Sequence, residues 1–159
     1  MRRTLVLDID ECLVRSHDKA DGIAKGRKMM ESVSVADRRS FFKASIKTRT
    51  KTITFWGVKR PNLDNFLYFA EKYFATIIVW SAGEYRYVHS VVDVLFKHHK
   101  YPDAILTRDD IVGEDYDYHK PLEVIMKKHP GMAFILDHAI VMTHVYMLRN
   151  REPLPRCFL

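Results

Sequence analysis

Thr4-Leu5-Val6-Leu7-Asp8-Ile9-Asp10-Glu11-Cys12 starts as a short apolar run and then turns abruptly acidic. Thr4–Leu7 reads as a buried strand that ends at Asp8. Asp8 and Asp10 stand at alternate positions just past it, and in extended geometry such residues point the same way. Two carboxylates held close repel unless a metal or a proton neutralises them. The pair is either a site that recruits such a charge or two solvated loop acids, and this stretch alone leaves both open.

The rest of the chain supplies more strand ends of the same kind. Ala75-Thr76-Ile77-Ile78-Val79-Trp80 is a second buried strand and runs into Ser81. Ala104–Leu106 is a short strand, and Ala133–Leu136 is one that delivers Asp137. Val145–Leu148 is a candidate for the last. Lys51–Trp56 is rich in β-branched and aromatic residues and reads as a strand. Between the strands lie helical patterns. Pro61 opens one with an apolar face of Leu63, Phe66, Leu67, Ala70 and Phe74. Val88, Val91, Val92, Leu95 and Phe96 mark another, and a third runs from near Pro121 to about Lys128. Strands alternating with helices predict an α/β fold, a parallel sheet with helices on both faces. Ligands of such sheets bind beyond the carboxyl ends of the strands. Asp8, Asp10, Ser81 and Asp137 lie where one site collects them.

Each of these residues also has a plainer reading. Ser81-x-x-Glu84 matches a helix capping box, although a helix N-terminus is itself an anion site. Lys120 opposes the dipole of the helix that starts after it, which hints at a negative group opposite. The alternative is an ordinary surface lysine. Asp137 would be poorly solvated without a partner, or would cap a helix.

Composition bounds the class. The chain has 159 residues, 47% of them hydrophobic, which suits one domain with a real core. No apolar run approaches a bilayer span. The basic start meets the acidic cluster too soon for a signal peptide, so an intracellular, cytoplasmic or nuclear protein is expected. Cys12 and Cys157 are no disulfide framework and fit a reducing compartment. The net charge of +6 is uneven. Residues 1–60 carry 15 Lys+Arg and 7 Asp+Glu, a net of +8, and residues 61–159 carry 11 and 13, a net of −2. The basic part either attracts an anionic partner or is a solvated loop. Residues 15–50 are polar, contain Gly22 and Gly26, show no sustained period and look like an insertion.

Taken together the motifs resemble a known family. Asp8-Ile9-Asp10-Glu11-Cys12-Leu13-Val14 resembles the first motif of the haloacid dehalogenase superfamily. More narrowly it resembles the small phosphatases of the RNA polymerase II C-terminal domain, also called NLI-interacting-factor-like. Lys59-Arg60-Pro61-Asn62-Leu63 is similar to the segment leading into that family's first helix, and Val79-Trp80-Ser81-Ala82-Gly83 to its second motif. Thr107-Arg108-Asp109 falls where the family has a phosphate-side arginine. His119-Lys120-Pro121-Leu122 and Ile135-Leu136-Asp137 are similar to the third and fourth motifs.

The resemblance implies a haloacid dehalogenase-like fold over residues 1–159, with residues 15–58 as a basic flap, and a protein serine/threonine phosphatase. Asp8 would be the nucleophile that becomes an aspartyl phosphate, and Asp10 the acid and then the base. Ser81, Ala82, Lys120 and Arg108 would hold the phosphate. Magnesium, or else manganese, would be held by Asp8, Asp10 and Asp137. The expected partner is a phosphorylated peptide, such as the RNA polymerase II tail. No membrane is expected, and nucleic acid is a lesser alternative. Phe41, Phe42, Phe55 and Trp56 are available to grip a peptide, with Phe55 and Trp56 better suited to covering the sheet.

Three features depart from the family. Cys12 replaces its usual Thr, a weaker hydrogen-bonding group. His138 replaces an Asn or Asp that helps hold magnesium, and imidazole suits transition metals better. Arg149–Leu159 leaves no room for the family's C-terminal helix. Compact members of this kind occur in large DNA viruses, which is the expected source. Two rival readings stay open: a phosphatase-like binding module, and a phosphatase of nucleic-acid ends or small phosphate esters.

Overall fold

In the computed structural model, β1 (Thr4–Leu7) is buried along its whole length. The structure describes residues 4–17, 20–111, 120, 123–128 and 139–142. β1 pairs in parallel with β5 (Thr76–Trp80) on one side and with β7 (Ala139–Met142) on the other. β6 (Ala104–Leu106) lies beyond β5, so the order is β6-β5-β1-β7. Central strands buried on both faces read as continuous apolar runs, which is why β1 and β5 were visible in the sequence.

The two faces of this sheet build two cores. Leu5, Leu7, Ile77 and Val79 face α2 (Leu63–Tyr73) and α3 (Tyr85–Leu95), which bury Leu63, Leu67 and Ala70, and Val88, Val91, Val92 and Leu95. Val6, Ile78 and Trp80 face the other way, with Ala104, Leu106 and Ile125 of α4 (Glu123–Lys128). Each such side chain contributes roughly 1.5–3 kcal/mol on burial. The expected parallel sheet with helices on both faces is the one observed.

Residues after Leu13 form a second layer. β2 (Val14–His17), β3 (Phe41–Lys47) and β4 (Thr52–Lys59) make an antiparallel sheet in the order β2-β4-β3, and α1 (Ala20–Ser32) intervenes between β2 and β3. Phe42, Ala44 and Phe55 on its inner face join the core that covers α3. The flap is thus more ordered than its polar composition suggests. β3 alternates buried Phe42 and Ala44 with exposed Lys43, Ser45 and Lys47, the period of a half-covered strand.

Two sequence expectations need correction, and one strand is new. The helix expected to open at Pro61 begins at Leu63, because Asn62 takes a left-handed conformation, φ 61°, as its N-cap. Phe42, expected among the aromatics available to a peptide, is buried; Phe55 is buried as its sheet-covering reading expects, whereas Phe41 and Trp56 are only half-buried. The strand beside β1 is Ala139–Met142, in the register Thr4↔Ala139 to Leu7↔Met142. The sequence reading placed no strand there, yet Ala-Ile-Val-Met is as fit for a buried parallel strand as the run before it. The strands expected at 133–136 and 145–148 lie outside the described residues.

Candidate active site

The carboxyl ends of β1 and β5 lie side by side, so Asp8 and Ser81 emerge at the same edge of the sheet. Both are buried. Lys120 comes to this edge from a distant part of the chain. Its Nζ stands 3.0 Å from Asp8 Oδ2 and donates at 2.7 Å to the Trp80 carbonyl. The other Asp8 oxygen accepts from the Ile9 N–H at 2.8 Å. A buried carboxylate is tolerated only when paired and hydrogen-bonded, and Lys120 supplies that pairing.

Asp10 lies two residues on, as the alternate spacing requires. Ser81 Oγ donates to Asp10 Oδ2 at 3.4 Å, while Oδ1 accepts from the Tyr87 hydroxyl and, at 3.4 Å, from Ser16 Oγ. Burial pushes the Asp10 carboxyl above its ordinary value, and the nearby Asp8 charge adds to this. The hydrogen bonds from Tyr87, Ser16 and Ser81 pull the other way. A carboxyl whose ionisation is opposed by burial, beside one that is ion-paired, gives two neighbouring acids two different environments.

The loop that carries them is tightly wound. The Ile9 carbonyl accepts from Leu13 at 2.8 Å and from Val14 at 3.1 Å. Glu11 sits in the left-handed region, φ 59°, where a side chain is unusual. Arg60 secures this turn. Its backbone N–H donates to the Leu13 carbonyl at 2.8 Å, and its guanidinium donates to the carbonyls of Glu11 (3.1 Å) and Cys12. Burial and then the Asp8 charge push the Cys12 thiol up, which disfavours the thiolate.

Ser81 does not cap α3. The helix starts later, with Glu84 as N-cap and no side-chain cap bond, and Ser81 Oγ instead accepts from the Gly83 N–H at 3.0 Å. The capping box forms elsewhere, between Thr107 and Asp110 around a short 3-10 helix, Arg108–Asp110. That box holds Arg108 against the Ser81 loop. Its N–H donates to Gly83 O at 2.9 Å and its Nε to Ala82 O at 3.0 Å. Ala82 and Arg108 are exposed beside the buried acids.

Asp8, Asp10, Ser81 and Lys120 are therefore brought together, with Ala82 and Arg108 at the rim. Asp137 and His138 lie outside the described residues. Sequence reasoning missed Tyr87, Ser16 and the role of Arg60. Ser16 alternates with Val14 along β2 and so points with it; Tyr87 is one turn into α3, which its apolar spacing had located. Neither signal separates a site residue from a packing residue.

A family model described as NLI interacting factor-like phosphatase matches residues 3–145. The chain belongs to the NLI interacting factor-like phosphatases. Two solved structures of Fcp1 share its fold. One is the fission yeast RNA polymerase II CTD phosphatase Fcp1, an arginine-to-alanine variant bound to beryllium fluoride, at TM-score 0.66 and 16% identity, covering 88% of this chain and 36% of that one. The other is Fcp1 described as an essential RNA polymerase II CTD phosphatase, again at TM-score 0.66 and 16% identity, covering 88% of this chain and 37% of that one. This NLI interacting factor-like chain thus spans little more than a third of either structure. No curated protein matches it. Among the described residues, no helix is long and apolar enough to cross a membrane.

Proposed function

We propose that this chain is a metal-dependent phosphoserine/threonine phosphatase that acts through an aspartyl phosphate on Asp8. The observation that carries the reading is the pairing of the buried Asp8 with Lys120 at the end of β1, with Asp10 beside it on a separate set of hydroxyl partners. Asp8 attacks phosphorus, and the bond to the serine oxygen breaks. Asp10 gives its proton to that departing oxygen and later takes one from the water that hydrolyses the acyl phosphate. Lys120, Ser81 and the Ala82 backbone hold the phosphoryl oxygens, and Arg108 adds a contact from the rim.

The donors present are carboxylates and carbonyls, the oxygen set that suits magnesium. Asp8, the Asp10 carbonyl and Asp137 are the residues that would hold it, with manganese favoured if His138 joins them. Such a cation neutralises phosphoryl charge as it develops. The substrate class we infer is a phosphorylated peptide, such as the RNA polymerase II tail on which Fcp1 is described as acting.

The test is phosphate release from an aryl phosphate and from a phosphoserine heptad peptide, with magnesium, manganese or chelator. Wild type should release phosphate only with metal. Asp8→Asn should release none while keeping the wild-type circular dichroism spectrum. Near-wild-type turnover in that variant would remove Asp8 as nucleophile. No release with any metal would leave the chain as a phosphopeptide-binding module.

A further inference from the structure

Tyr87 has no part in the chemistry just described, yet its position is strongly determined. The ring packs on Phe55 with centroids 5.2 Å apart. On another side it fills space that only a glycine leaves, since a Cβ at Gly83 would lie 2.6 Å from Tyr87 Cδ1. The hydroxyl so held meets Asp10 Oδ1 and lies 2.6 Å from Ser16 Oγ, which also reaches Oδ1. Three elements therefore converge on one carboxyl: α3 through Tyr87, the flap strand β2 through Ser16, and the end of β5 through Ser81 on Oδ2.

A carboxyl group rotates between two nearly equivalent orientations. An acid that must protonate an oxygen at a fixed point loses efficiency if both are sampled. We propose that Tyr87 is a positioning residue for Asp10. With Ser16 it fixes Oδ1 and so presents Oδ2, on the Ser81 side, to the oxygen that leaves. This rests on the reading of Asp10 as the acid of a phosphatase. It also makes the flap part of the catalytic alignment, because Ser16 reaches Asp10 only when β2 is in place.

The leaving group provides the test. An alkoxide leaving from serine needs its proton as the bond breaks, whereas an acidic phenol leaves without one. Tyr87→Phe keeps the ring and its contact with Phe55 and removes only the hydroxyl. We expect kcat/KM, which reports only the steps up to the first phosphoryl transfer, to fall about tenfold on a phosphoserine peptide relative to 4-nitrophenyl phosphate, a fraction of what a general acid contributes. The peptide's dissociation constant, measured in an Asp8→Asn background, should stay within about twofold, since a lost substrate contact would raise it. Gly83→Ala, which displaces the ring, should shift the ratio the same way and serves if Tyr87→Phe does not fold. Equal loss on both substrates, or no loss on either, overturns the role of Tyr87. Asp10→Asn is the control: its kcat/KM should show the same selectivity more strongly, while its kcat falls on both substrates because the base of the shared second step is lost. An Asp10→Asn variant whose kcat/KM is lowered equally on both substrates removes Asp10 as acid and the proposal with it. Wild type that hydrolyses neither substrate overturns the phosphatase reading itself.

Discussion

Lys120 and Asp8 illustrate how little a residue's type says without its partner. Both side chains are largely buried, 12% and 9% exposed, and each makes the other's burial tolerable. Lys120→Met should destabilise the protein by about 3 kcal/mol, because it strands a buried carboxylate. Adding Asp8→Asn should recover part of that loss, which urea titration of the two single variants and the double variant will show; strict additivity would mean the pair is not coupled. Asp110 is a second buried acid, and its burial opposes ionisation. The Lys128 hydrogen bond and the Thr107 N–H, at 2.7 Å, more than offset this, so its carboxyl is held below its ordinary value. A depressed carboxyl stabilises the fold above the ordinary value of 3.8 and loses that contribution as pH falls below it. Asp110→Asn should therefore lower stability by about 1–2 kcal/mol at neutral pH, as loss of a cap does. The gap from wild type should close as the pH drops below about 4. A gap that persists in acid would mean the amide simply packs badly. The Thr107-x-x-Asp110 spacing is itself a capping-box signature in the sequence.

At the scale of elements, the parallel strands were legible and the flap was not. β1 and β5 are continuous apolar runs, a pattern with few other uses. Residues 15–50 read as one polar block, yet β3 lies within it. Its period of two is spread over Phe42, Ala44 and Ile46, with Lys43 and Ser45 between. The two glycines of α1 argue against a helix by propensity. Packing overrides this, because α1 passes so close to β4 that a Cβ on Gly26 would touch Trp56 at 3.4 Å. Gly57 answers to the same physics in β4. A Cβ there would collide with the buried Phe42 ring and come within 3.1 Å of the Arg15 carbonyl. Gly57→Ala should cost about 1–3 kcal/mol through overpacking. A melting temperature equal to wild type would show that Phe42 has room to turn away.

For the molecule as a whole, the uneven charge becomes a spatial fact. The net of +8 in residues 1–60 falls largely on the flap, where Arg15, Lys43 and Lys47 are exposed on the sheet and Arg27 and Lys28 on α1. Such a field raises the encounter rate with anionic substrates and is screened by salt. kcat/KM for a phosphoserine peptide should fall several-fold between 0.05 and 0.5 M salt, while kcat changes little. An unchanged kcat/KM would make the flap charge a matter of solubility. Which apolar run would lie beside β1 was the part least open to sequence reasoning. By local composition Ala133–Leu136 and Ala139–Met142 are equally fit for a strand, and it is Ala139–Met142 that pairs with β1. Asp8, Asp10 and Ser81 were legible because they follow strands; Tyr87 and Arg60 were not, because they reach the site across the fold.

The flap leaves the core after Leu13 and returns at Arg60, and these two residues are joined by a 2.8 Å backbone hydrogen bond. Its first and last strands are partners, Val14 opposite Lys59. The whole excursion is thus stitched shut at its base. A segment with that topology is an exchangeable cassette: it can lengthen, shrink or be swapped for another while the ends that meet the core stay where they are. On the proposed function, substrate preference can then diverge through the cassette as long as Ser16 on its first strand keeps its place beside Asp10.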